Sequence, residues 1–481
     1  MAVRLRLATL DEVPAASRPL IRPGDVGTGI VHLGLGAFFR AHQAVYTEEA
    51  IAAAGGDWGI VGVAPRSPTV VAALAAQDGL FSVTSLSGSG SSTRVIGALS
   101  GVRHAPADPA AVLALIADPA VRIVTLCVTE KAYQLDPVTG RLATGADLRP
   151  PTIPGLLVHG LIARYRAGAG PIAIMSCDNL PANGRQTAGM VELAMRRVRP
   201  DLADWVAATV TFPGTMVDRI VPASTPRTLD AAATALGVAD LAALGAEPYM
   251  QWVIEDDFPA GRPAWERAGV VMTGDARPWE RLKLRTLNGV HSAVAYLGAL
   301  AGCETIADAL EVPGLRRAMR CFIAEDIAES LIPPDGVSVV EYGDEALDRF
   351  TNPAMGHRTV QVAMDGSQKL PQRVLHTIED RRAAGATPRW GALVVAAWIR
   401  FAQGVADDGR ALPLDDPLAG DIRTRLAAAP ATPDGATTAL LGMDAVFPPT
   451  LAADDTVRAL VTEWLTAFEK HGVAGTLAGL P

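Results

Sequence analysis

Apolar positions in the first 180 residues come in short unbroken runs. "GIVHLGLG" (29–36), "WGIVGVA" (58–64), "RIVTLCV" (122–128) and "PIAIMSCDN" (171–179) are β-rich stretches, and the first and last run into glycine or Asx residues. Between them lie stretches of helical length at 41–54, 68–77, 109–117 and 154–167. A strand that is apolar on both faces is covered on both faces, and strands alternating with helices build a parallel sheet between helical layers. "LSGSGSS" (86–92) reads as a turn between two further β segments, an insertion in that scheme. After about residue 275 the glycine and proline punctuation thins. Long helical segments then dominate, at 281–300, 315–331, 371–384, 390–404 and 456–470. The pattern predicts an α/β Rossmann-type domain over 1–275 and a mostly α-helical substrate-binding or catalytic domain over 276–481. "LPLDDPLAGD" and "AAPATPDGATT" are loops, and no internal repeat is present.

Composition narrows the class. Apolar residues make up 49% of the 481 and charged residues 19%, an ordinary globular balance. A net charge of −9 speaks against a general nucleic-acid binder, which needs a basic stripe. The opening "MAVRLRLATLDEVP" has no apolar leader segment, and "WGALVVAAWIRF" (390–401) is too short to span a bilayer. A cytoplasmic, soluble protein without a membrane partner is expected. The four cysteines, Cys127, Cys177, Cys303 and Cys321, form no C-x-x-C pair and read as buried reduced thiols. No metal site is expected, which weakens a zinc alcohol dehydrogenase as a reading.

In "VHLGLGAFFRAHQAVY" an apolar strand runs into Gly34 and Gly36, and a helix follows near Phe38. That is the first βα turn of a dinucleotide fold. Gly34 makes the tight turn, and Gly36 lets the backbone approach a pyrophosphate at the helix N-terminus. Phe39 stands where the third glycine of G-x-G-x-x-G belongs. The second strand ends "VGVAPRSPTV", without the acid that binds an adenosine ribose. Arg66 there either meets a 2′-phosphate, favouring NADP, or is a solvated loop arginine. NAD and NADP both stay open. Gly34, Gly36, Phe38 and Arg66 are the expected cofactor-binding residues.

"ERLKLRTLNGVHSAVAYLG" (280–298) is a helix heading into a core with Glu280, Lys283, Asn288 and His291 in its first half. At 100° per residue these four fall on an arc of about 140°. A solvated helix face explains that arc. Against it, Leu287 lies in the same arc, and the following "SAVAYLGAL" requires burial. A lysine facing a closed cleft loses charge through desolvation, and a neutral amine takes a proton from an alcohol. Asp178 and Asn179 end a strand, where open α/β sheets bind ligands, although an Asx turn is the plain alternative. Asp218 and Arg219 sit among apolar residues as a site or as a structural ion pair. His357, Arg358, Asp365, Lys369 and Arg373 form a basic-leaning stretch that suits a polyhydroxylated or anionic ligand, or an ordinary surface helix end.

"GLGAFFRAHQ", "VTEKAY", "MSCDNLPANG", "TFPGTMVDRIVP", "QWVIEDDFPAGRPAWE", "KLRTLNGVHSAVAYLG" and "MDGSQKLPQR" together resemble the mannitol dehydrogenase family of long-chain, zinc-independent polyol dehydrogenases. The motifs run in family order from about residue 29 to past 370. The resemblance implies hydride transfer between NAD or NADP and C2 of a sugar alcohol or aldonate, without a metal. The lysine of K-x4-N-x2-H falls on Lys283 as general base. The resemblance also implies that Asn288 and Asn179 form an oxyanion site and that His291 hydrogen-bonds substrate hydroxyls. Glu280 matches a carboxylate that gates a proton path. Asp218 looks like a substrate contact, and Arg358 or Lys369 binds distal hydroxyls or a carboxylate. The family usually has His where this chain has Phe39. The 357–373 stretch leans toward fructuronate and mannonate, with mannitol or arabinitol oxidation as alternatives. A catalytically silent nucleotide-binding module is the non-enzyme alternative. The resemblance allows a monomer or weak oligomer, with a small-molecule sugar alcohol or sugar acid as partner.

Overall fold

The four apolar runs are four of six parallel strands in one sheet. In the computed structural model, which describes residues 3–88, 90–136 and 139–480, these are β1 (Thr28–Leu33), β2 (Gly59–Ala64), β6 (Ile123–Leu126) and β7 (Ile172–Ser176). Two strands the apolar pattern did not announce complete the sheet, β5 (Leu99–His104) and β8 (Val210–Thr211), in the order β5-β2-β1-β6-β7-β8. Every neighbour pair is parallel. Counted along this sheet alone, the order is 3-2-1-4-5-6, the dinucleotide-binding arrangement, whose switch point lies between the first and fourth strands. Here those are β1 and β6.

Alternate residues of the central strands feed two cores. Ile30, Ile60, Ile123 and Met175 point into one, and Val31, Leu33, Val63, Val124 and Ile174 into the other. Helices Pro109–Ala117 and Ile153–Ala167 pack on each other over the second core.

Two small sheets complete the first compact unit, Met1–Arg277. β3 (Phe81–Ser87) and β4 (Gly90–Ile96) form an antiparallel hairpin beside β10 (Leu244–Ala246). The predicted 86–92 turn is tighter than its sequence suggests, with Leu86 paired to Ser91 and Ser87 to Gly90. Ser89, within the predicted 86–92 stretch, lies outside the described residues. β9 (Thr215–Asp218), β11 (Gln251–Glu255) and β12 (Val271–Thr273) form the other sheet.

The second unit, Pro278–Pro481, is helical. Its centre is Arg389–Ala402, apolar nearly all round and packed against Gly289–Leu300 and Asp455–Ala478. Asp326 caps that central helix from another segment, accepting from the Trp390 and Gly391 amides at 2.9 and 2.8 Å. Three helical runs expected to be regular contain π turns, at Leu284–Asn288, Phe322–Ile327 and Pro371–Leu375. Among the described residues, no helix is long and apolar enough to cross a membrane, and all four cysteines are free thiols.

Candidate active site

The turn after β1 is built on contacts only glycine permits. Gly34 has φ +117°, and a Cβ there would lie 2.0 Å from the Cys127 carbonyl oxygen. Gly36 differs. Its φ is −80°, and a Cβ would meet nothing nearer than the Gly34 oxygen at 3.9 Å. Gly34 closes the turn against β6, and Gly36 leaves open space above it. Both line a cleft of about 420 Å³ with Leu35, Arg66, Thr129 and Lys131.

The cleft lies at the switch point of the sheet, and among the described residues no carboxylate lines it. Arg66 is exposed there, its Nη2 3.3 Å from Thr129 Oγ1. Phe38 is not among the lining residues. Its ring stacks on His42 at 5.0 Å. Phe39 is wholly buried beneath the turn.

At the end of β7, Asp178 ties two strand ends together. Its carboxylate accepts from the Tyr133 hydroxyl at 2.7 Å and the Val128 amide at 3.1 Å. Burial pushes its pKa up to about 6. Asn179 follows as an exposed residue. The loop is pinned by Asn183, which sequence reasoning did not single out. Its amide donates to the Thr215 oxygen at 3.0 Å and accepts from the Thr215 amide at 3.0 Å.

Asp218 is 4% exposed at the end of β9, opposite Gln251. The neighbouring Arg219 spends its guanidinium on backbone. Nε and Nη2 donate to the Glu247 oxygen at 3.0 and 2.9 Å, and Nη1 donates to the Ala41 oxygen.

In the second unit, Lys283 is 6% exposed and Leu287 is buried, so this stretch is not a solvated face. Glu280 lies one turn before Lys283, half-buried. The helical wheel fails just after Lys283. The Gly289 amide reaches back five residues to the Leu284 oxygen, closing a π turn. In a regular α-helix, residues five apart diverge by about 140°. A π turn brings such residues toward one face, and such turns recur at functional sites. Asn288 is therefore rotated toward Lys283.

His291 follows one α turn after Asn288. Its ring stacks on Phe350 at 4.6 Å and tilts against His357 at 5.6 Å. The buried Nε2 of His291 and Oδ1 of Asn288 have no hydrogen-bond partner. Burial holds His291 well below the usual histidine range. The charges of His357, Arg373, Lys369 and Arg349 push it the same way.

The basic stretch divides by position. Arg358 is exposed, 3.6 Å from Glu304. Lys369 is half-buried, and its Nζ donates to the Met364 and Val362 oxygens at 2.5 and 3.3 Å. Arg373 Nη1 donates to Ser292 Oγ at 3.0 Å and lies 3.5 Å from the Asn288 oxygen. The structure thus groups Lys369, Arg373 and His357 with Asn288 and His291, and leaves Arg358 at the surface. Among the described residues, no group of three or more His, Cys, Asp or Glu side chains is arranged to hold a metal ion.

Two family models cover most of the chain, the mannitol dehydrogenase Rossmann domain over residues 28–267 and the mannitol dehydrogenase C-terminal domain over 275–468. The Escherichia coli K12 uncharacterized oxidoreductase YeiQ is 43% identical over 87% of this chain and 87% of its own length. The D-mannonate oxidoreductase of the same organism is 41% identical over 84% of this chain and 87% of its own. Among solved structures, Pseudomonas fluorescens mannitol 2-dehydrogenase, in a ternary complex with NAD and D-mannitol, aligns with a TM-score of 0.86. It is 32% identical and covers 99% of each chain. With both halves matched and relatives above 40% identity over most of the chain, this protein is an oxidoreductase that belongs to the mannitol dehydrogenase family.

Proposed function

We propose that this chain is a nicotinamide-dependent dehydrogenase of a sugar acid, interconverting the C5 alcohol of D-mannonate, on the carbon beside its CH2OH end, and the ketone of D-fructuronate. One observation carries the choice of a sugar acid. His291, with an unsatisfied Nε2, feels the positive charges of Arg373, Lys369 and Arg349, which act on it alongside burial. A ligand held at that nitrogen sits in a positive field, which favours an anion. The 41% identity to a D-mannonate oxidoreductase supports the same choice. A second reading, oxidation of mannitol, is favoured by the likeness to a structure that holds mannitol.

The cleft at β1 and β6 fits a dinucleotide. Gly36 opens space where a backbone must approach a pyrophosphate, and Arg66 and Lys131 place cations beside it. When bound, the nicotinamide supplies the hydride acceptor. Arg66 stands where an NAD-selective acid is missing, so NADP is accepted as well as NAD. Phe38, against His42, acts through the helix that follows the turn rather than by contact.

The remaining chemistry belongs to the protein. Lys283, buried, takes the proton of the substrate hydroxyl. The Asn288 amide is turned toward the same face by the π turn and donates to the developing alkoxide. His291 holds a neighbouring hydroxyl. Glu280, one turn from Lys283, passes the proton toward solvent. The family pattern adds Asn179 as a second amide donor and Asp218, Lys369 and Arg358 as substrate contacts. The enzyme is read as a cytoplasmic monomer or weak oligomer.

Turnover of D-mannonate, mannitol and arabinitol with NAD and with NADP tests the reading. Mannitol turnover without mannonate turnover sinks the sugar-acid choice. Lys283→Ala is expected to cut turnover by about 10²–10⁴ with cofactor binding retained. Unchanged turnover removes Lys283 from its role.

A further inference from the structure

We propose that Arg373 is the residue that reads the carboxylate of a sugar acid at this site, an inference that rests on the reading above and names its specificity determinant. The backbone of Arg373 is fixed first. Pro371 lacks an amide hydrogen, so the run from Gly366 to Ala383 cannot keep a regular ladder there, and Pro371–Leu375 forms a π turn. That turn seats on Gly289, where a Cβ would lie only 2.6 Å from the Arg373 carbonyl oxygen. The two π turns of Leu284–Asn288 and Pro371–Leu375 therefore meet backbone to backbone.

The side chain then reaches over the helix that carries Asn288 and His291. Nη1 donates to Ser292 Oγ at 3.0 Å and lies 3.5 Å from the Asn288 oxygen. These contacts tie the guanidinium to that helix, and a guanidinium carries the planar fork of donors that carboxylate recognition uses.

The other basic groups of the stretch are less suited to the task. Arg358 is exposed beside Glu304. Lys369 already spends two of its three donors on the Met364 and Val362 carbonyls. Burial lowers the pKa of both His291 and His357, so neither is a fixed cation. Arg373 is the fixed cation beside the two residues the family motif assigns to substrate. A sugar alcohol has no carboxylate for it to meet, so the residue separates acids from alcohols.

The test compares full-length wild type, Arg373→Gln and Arg373→Lys. Two quantities are read: the ratio of kcat/KM for D-mannonate to that for mannitol, and the calorimetric dissociation constant of D-mannonate for the enzyme loaded with cofactor. In Arg373→Gln both are expected to worsen for the acid by about tenfold or more, the loss of one charge-assisted contact. Arg373→Lys restores part of the loss, because it keeps the charge without the fork. An equal fall on acid and alcohol, with unchanged mannonate affinity, overturns the proposal and leaves Arg373 as a brace for the helix. A wild type that binds mannonate without oxidising it sinks the substrate reading, while the affinity comparison still decides the role of Arg373.

Discussion

Phe39 lies flat on the imidazole of His32, with ring centroids 3.5 Å apart and planes 10° from parallel. The stack gives the side chain at the third-glycine position of the turn a place against β1. His32 is wholly buried in β1, and burial pushes it down to about 3, so the ring is neutral at working pH. Its Nε2 contacts the Gly34 carbonyl at 3.0 Å, which can only accept, so Nε2 carries the proton. Nδ1 then accepts from the Thr125 hydroxyl at 2.7 Å. Phe39 thus supports the ring that supports the glycine turn. Phe39→Ala opens a cavity at that point and is expected to cost about 3–5 kcal/mol, with weaker dinucleotide binding. Urea unfolding and a cofactor titration check both. A loss under about 1 kcal/mol would mean that the turn stands without the stack.

Gly34 and Gly36 differ by two positions and should fail in different ways. In Gly34→Ala the new methyl meets the Cys127 carbonyl at 2.0 Å on a backbone at φ +117°, so strand β6 must move. Lower thermal stability and loss of cofactor binding are expected together. In Gly36→Ala the methyl meets no atom nearer than 3.9 Å and the backbone is ordinary, so stability should stay within about 0.5 kcal/mol. The methyl enters the cleft, however, and the NADH dissociation constant should rise about tenfold, the cost of blocking a close backbone approach. Wild-type NADH affinity in Gly36→Ala would show that the pyrophosphate does not pass this residue.

The legible strands were those covered on both faces. β1, β2, β6 and β7 are continuous apolar runs because helices lie above and below them. β5 is partly exposed at the sheet edge and β8 is two residues long, so neither leaves a run to read. At the site, Lys283 and His291 stood out as polar positions in a helix bound for the core. The π turn between them did not, because periodicity assumes a constant rotation and nothing in "LRTLN" breaks a helix. Arg373 was visible only as one of several basic residues near a proline. Its partner Ser292 is 81 residues away in the chain, and that pairing exists only once the two π turns meet. Asn183 was hidden for the same reason, since its partner Thr215 is 32 residues away.

Glu48 makes the stability of the first unit pH-dependent. It is 0% exposed in helix Gln43–Ala54 and accepts from the Gly97 amide at 2.7 Å. Burial outweighs that bond and pushes its pKa up to about 7. The folded state therefore holds a proton that the unfolded chain releases near pH 4.5. The stabilisation is fully present below that value and is lost as pH rises through 7. Glu48→Gln keeps an acceptor for Gly97 and cannot ionise. Relative to wild type it should gain up to about 3 kcal/mol between pH 5 and pH 8, as read by urea unfolding at each pH. A constant difference across that range would mean that Glu48 does not titrate there.

Gly289→Ala tests whether the meeting of the two π turns matters to catalysis. Gly289 has φ −65° and ψ −50°, ordinary helical values, so alanine meets no backbone strain. By propensity alone the change should stabilise the helix by about 1 kcal/mol. The space beside it says the opposite. The new Cβ would lie 2.6 Å from the Arg373 carbonyl oxygen, a backbone atom in the second π turn that cannot swing aside. Relief requires the Asn288–Gly289 junction to shift, and Asn288 moves with it. We expect a loss of about 1–3 kcal/mol from overpacking, together with a fall in kcat larger than any change in cofactor affinity. Urea unfolding, steady-state kinetics and NADH titration separate the three quantities. A variant that is more stable and fully active would show that the helices part without cost, and that the π turn at Leu284–Asn288 is not needed to aim the Asn288 amide.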